Sequence, residues 1–118
     1  MVQQAVDMFG TVYLGLALPD FVVPSEGDWL TIPWTLPPQS KGNTSPNPNN
    51  GHCVPIVGYD VENLYIVTWG VLKAMNYAFY NTYVDEAFAV LSPDWIEKTG
   101  EAPPGLNLSQ LLADIKQV

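Results

Sequence analysis

The sequence predicts an α+β domain, an antiparallel β-sheet with short flanking helices, and three observations predict it. Residues 52–59 (HCVPIVGY) and 64–69 (LYIVTW) are two β-rich runs separated only by DVEN, which marks an antiparallel hairpin. Residues 11–18 (TVYLGLAL) form a third run, nearly all apolar and rich in β-branched and aromatic residues, as a buried strand requires. Near the C-terminus, Leu108, Leu111, Leu112 and Ile115 fall at i, i+3, i+4 and i+7, the stripe of an amphipathic helix.

The remaining elements follow in chain order. Residues 3–9 (QQAVDMF) read as the last turns of a helix closed by Gly10 in the C′ position. A helix beginning so near Met1 suggests a chain cut from something longer, or one whose N-terminal partner is supplied separately. Pro19 ends the first strand. From Asp20 to Gly51 recurrent prolines break any long element, and SKGNTSPNPNNG (40–51) is a polar surface loop. Trp29 and Trp34 are expected to bury themselves and pin this loop to the sheet. Residues 74–83 (AMNYAFYNTY) suit a short aromatic helix and 86–91 (EAFAVL) a further strand, with Trp95 and Ile96 packing back after a turn at 92–94. The lobe thus spans 1–99, with a linker at 100–106 and a C-terminal helix within 107–118. Asn107 is its expected N-cap, and Gln110 stands three residues on, as in a capping box.

Composition narrows the function. A chain of 118 residues, 47% hydrophobic and 14% charged, forms one globular domain. Its net charge of −8, with four Lys and no Arg, argues against nucleic acid and anionic membranes as partners. Cys53 is the single cysteine, so no intrachain disulfide forms. No signal peptide is recognisable and no apolar run has the length of a membrane helix, which points to the cytoplasm, with a virion as the other compartment. Asp85 and Glu86 are neighbours that point apart on a strand, a poor glycosidase pair. Asp60 and Glu62 lie in a turn and are expected to be solvated. The aromatic residues from Tyr77 to Tyr83 are expected in the core. No dinucleotide, phosphate or metal-binding motif is present, so no cofactor and no metal is expected.

The single histidine carries the chemistry. His52 opens a strand after a glycine-containing loop, in GHCVPIVGYD (51–60), and the next strand, LYIVTWG (64–70), ends in Trp69-Gly70. This pair resembles the His strand and the following strand of papain-like cysteine peptidases, which have the forms G/D-H-A-V-x-x-V-G-Y-G and N-S-W-G. The helix, Gly10-x-Val12 and strand of residues 2–18 resemble what precedes it there. The V-T-W-G ending is similar to papain-like proteins encoded by phages and prophages. The resemblance implies a sheet-rich lobe with His52 as general acid/base, a role that requires a thiolate partner and an orienting acceptor. It implies Gly51 and Trp69 beside the substrate. The family's orienting Asn falls on Val67 if Trp69 is aligned, and on Thr68 if residues are counted from His52 without a gap; Thr68 has a hydroxyl that can accept the bond.

The nucleophile's own motif, Gln followed at a distance by Cys-Trp on a helix, is absent. Cys53 cannot replace it, because strand neighbours point to opposite faces; a small buried core thiol is the expectation for it. Two readings follow. In one, the chain is a lobe of a peptidase or amidase acting on peptide or protein, its thiol supplied by a missing N-terminal lobe or a second chain. In the other it is a noncatalytic binding or structural module, a pseudoenzyme. Because a short helix with an apolar stripe must dock on something, the C-terminal helix is also expected to fold back or to build a two-fold homodimer.

Overall fold

The structure is a computed structural model that describes residues 1–20, 31–37, 43–90 and 107–115, with the backbone alone at 111, 112, 114 and 115. Helix α1 (Val2–Phe9) leads into strand β1 (Val12–Ala17), and after the long loop come β2 (Gly51–Tyr59), β3 (Asn63–Thr68) and β4 (Val71–Asn76). Helix α2 (Tyr77–Tyr83), strand β5 (Val84–Ala89) and the C-terminal helix α3 (Leu108–Ile115) complete the order. The five strands form one antiparallel sheet in the order β4-β3-β2-β1-β5, the α+β architecture expected.

One face of the sheet is the core. Leu14, Val54, Ile56, Leu64, Ile66 and Met75 are fully buried, and every second residue of β1, β2 and β3 contributes, as the two-residue period of a strand dictates. Val6 of α1 and Phe79 and Tyr83 of α2 cover this face. Gly10 ends α1 at φ 75°, its N–H donating to Val6 O at 2.8 Å, the left-handed closure that glycine permits. Trp34 extends the sheet at the outer edge of β4: its N–H donates to Ala74 O at 2.8 Å, and Asn76 N–H donates to Trp34 O at 3.0 Å. Its ring is fully buried, so Trp34 pins the loop; Trp29, Trp95, Ile96 and the 100–106 linker lie outside the described residues.

Three expectations are corrected here. Residues 74–83 are not one helix: 71–76 form β4 and only 77–83 are helical. The switch occurs at Asn76, whose side chain accepts from Phe79 N–H at 2.8 Å and so starts α2 as an N-cap. Cys53 is not a core thiol but exposed, because it lies on the uncovered face. The strand read at 86–91 begins earlier, at Val84. It meets β1 through a register shift, with Leu16 opposite Val84 and Gly15 opposite Glu86, which leaves Asp85 as the extra residue of a bulge. In α3, Asn107 Oδ1 accepts from Gln110 N–H at 3.0 Å; the side chains of Leu111, Leu112 and Ile115 lie outside the described residues.

Candidate functional site

The site sits where β2 begins and β3 ends. Antiparallel pairing brings these two strand ends together, although sixteen residues separate His52 and Thr68 in sequence. His52 Nε2 and Thr68 Oγ1 are 2.7 Å apart, and Thr68 is 3% exposed, so the hydroxyl is held and shielded from water. Val67, the alternative from the other alignment, points to the opposite face and is exposed. Thr68 is therefore the residue that reaches the ring, as the count without a gap places it. When its hydroxyl accepts from Nε2–H, the lone pair of Nδ1 is left for a proton. Among the described residues no hydrogen bond reaches Nδ1.

Trp69 forms the lid of the ring. Its indole stacks on the imidazole with centroids 4.8 Å apart at 28°, and the buried Trp34 ring stands behind both, 5.7 Å from Trp69 and 6.2 Å from His52. This placement comes from the β3–β4 turn, a two-residue reversal in which Trp69 has φ 47° and Gly70 φ 79°. Glycine accepts that conformation freely and tryptophan does not. Half-burial under these rings depresses the His52 pKa below its usual value, because the cation loses solvent.

Beside His52 a cleft of about 270 Å³ is lined by Gly15, Leu16, Gly51, His52 and Cys53 with Asp85 and Glu86. Gly51 is therefore at the site edge. Gly15 is bare where Glu86 crosses: a Cβ there would come within 2.5 Å of Glu86 Cγ and 2.7 Å of its Oε1. Cys53 pairs with Gly15 on the face opposite the imidazole, so its thiol does not join the His52–Thr68 pair. The two carboxylates were not singled out as site residues in sequence; their position emerges only with the strand order that sets β5 beside β1. Among the described residues no three of His, Cys, Asp and Glu group to hold a metal ion, and no helix is long and apolar enough to cross a membrane.

At the far end of the sheet, Asp60 is not merely solvated. Its carboxylate accepts from Tyr65 Oη at 2.6 Å and from the N–H groups of Glu62 and Asn63 at 2.8 and 2.7 Å. The Tyr65 bond first, then the two backbone donors, lower its pKa. This closes the β2–β3 turn and has no connection with the histidine.

Comparison with known proteins finds no matching family model, no matching curated protein and no matching solved structure. The arrangement of the site residues therefore carries the functional argument by itself.

Proposed function

We propose that the chain is the histidine-bearing lobe of a papain-like cysteine peptidase or amidase, with His52 as general acid/base, Thr68 as its positioning residue and the nucleophilic thiol contributed by polypeptide outside residues 1–118. The observation that carries the reading is the 2.7 Å approach of His52 Nε2 to Thr68 Oγ1 under the stacked Trp69 ring. With the Thr68 hydroxyl accepting from Nε2–H, Nδ1 is the nitrogen left for proton transfer, which is what a thiolate–imidazolium pair demands. In the reaction it implies, Nδ1 accepts the thiol proton as sulfur attacks the carbonyl carbon of a peptide or amide. It then returns that proton to the departing nitrogen, and a water repeats the cycle to release the acyl group. Gly51 and Trp69 border the space in which that substrate lies.

The test uses the complete locus. The coding sequence around these residues is expressed together with its neighbouring open reading frames, and labelling by a thiol-directed covalent probe is measured with hydrolysis of a generic peptide substrate. Labelling and turnover that His52→Ala abolishes support the reading. A locus with neither a second thiol lobe nor any turnover sinks it. The noncatalytic alternative is favoured by one observation, that a threonine stands at the orienting position where the family it resembles has an asparagine; a silent locus selects it.

A further inference from the structure

The face of the sheet turned away from the core is apolar in register across all five strands. Tyr13 pairs with Phe88 of β5 on one side and with Pro55 of β2 on the other. Ile56 opposite Ile66 sets Pro55 beside Val67, and Val67 pairs with Leu72 of β4. Phe88, Tyr13, Val67 and Leu72 are 57, 41, 39 and 67% exposed. Apolar side chains scattered over a surface need no explanation, but a contiguous row marks an interface. At about 4.8 Å between strands the row is about 19 Å long.

Charge indicates what seats there. Asp85 and Glu86 flank the row toward the His52 end, and Asp60 and Glu62 stand at the turn beyond the other end. The only lysine among the described residues, Lys73, is buried on the core face, and the chain has no arginine at all. A second copy would therefore set acidic flanks against acidic flanks, each on a chain of net charge −8. Area argues the same way: strands of six residues make this face about 20 Å deep, so it offers about 400 Å², half of the ~800 Å² per partner of a standard interface.

We infer that this face docks a cationic amphipathic segment of another polypeptide, its apolar stripe lying along the Phe88–Leu72 row and its Lys or Arg side chains paired with the flanking carboxylates. Nothing in this inference requires chemistry at His52, whose ring is on the other face.

The probe is a synthetic amphipathic Leu/Lys helix of about 14 residues, long enough at 1.5 Å per residue to span the row, with a Leu/Glu helix as control. Both are titrated into the isotopically labelled full chain and followed by NMR. The expected result is saturable shifts at Tyr13, Val67, Leu72 and Phe88, with the Leu/Glu helix binding at least about tenfold more weakly. Leu72→Ser with Phe88→Ser, both exposed positions, should abolish the shifts while core resonances stay in place. Asp85→Asn with Glu86→Gln should weaken binding severalfold and flatten its salt dependence. Equal affinity for the two helices, shifts confined to other surfaces, or no binding overturns the inference. So does sedimentation showing that wild type self-associates through this row and the serine variant does not.

Discussion

Trp69 places two opposed energies in one residue, and a substitution series separates them. Its φ of 47° costs an L-residue roughly 1–2 kcal/mol, while its ring meets His52 at 4.8 Å and Trp34 at 5.7 Å, pairs worth about 0.5–1.5 kcal/mol each. Trp69→Ala removes the ring and keeps the backbone cost, whereas Trp69→Gly removes both. Glycine ordinarily destabilises a regular element by roughly 0.5–1 kcal/mol relative to alanine. At this turn the order should invert, with the glycine variant about 1 kcal/mol more stable than the alanine variant and both less stable than wild type. Urea unfolding reads this from the midpoints at unchanged m-value. In both variants the uncovered imidazole should titrate closer to its ordinary value, since burial is what depresses it. A glycine variant no more stable than the alanine variant would refute the argument that the turn is strained, and an unmoved His52 titration would remove Trp69 as its shield.

Three further outcomes follow from the same geometry. Thr68→Val should leave the fold intact, cost about 1–3 kcal/mol for the polar atom left without its partner, and change the imidazole's NMR titration; an unchanged titration removes Thr68 from the site. Lys73, whose ammonium donates to Ile32 O at 2.6 Å, has its pKa lowered by burial. The folded state therefore holds fewer protons than the unfolded one just below the usual lysine value, and stability gains from this group as pH rises through that window. Subtracting the unfolding profile of Lys73→Met from that of wild type should show this rise, and a flat difference rejects it. The 118-residue chain alone should show no peptidase turnover, because Cys53 and the His52 ring lie on opposite faces; turnover abolished by Cys53→Ser would show that strand geometry to be wrong.

Most of the sheet was readable because β1, β2 and β3 follow simple rules: alternating burial, a polar turn at DVEN, and a proline that ends β1. Strand β4 escaped because its alternation is inverted. Its buried positions include Lys73, while Leu72 is exposed, so hydrophobicity misreports which face is which, and the run from Ala74 into the aromatic residues passes for helix. The Trp69-Gly70 turn is hard to see for a related reason, since tryptophan is a poor residue for a left-handed position. At the site, His52 and Thr68 came from the resemblance to papain-like peptidases, which left Val67 as the alternative to Thr68; the hairpin's register decides which of the two meets the ring. Asp85 and Glu86 were not, because their place beside the histidine depends on β5 returning across the sheet to β1. The exposure of Cys53 depends on what covers the second face, which periodicity does not encode.

The bulge at Asp85 has a consequence for how this sheet tolerates change. Pairing with β1 continues unbroken on both sides of this unpaired residue: Glu86 and Phe88 lie outward, Ala87 and Ala89 toward the core side. Removing that single residue would make Val84 and Glu86 consecutive partners of Leu16 and Gly15, so the ladder would become regular while Phe88 stayed outward opposite Tyr13. The bulge thus acts as slack, one residue of length held in the edge strand without altering the surface it presents. A one-residue deletion here removes a carboxylate and a kink, and leaves the apolar exterior of the strand where it was.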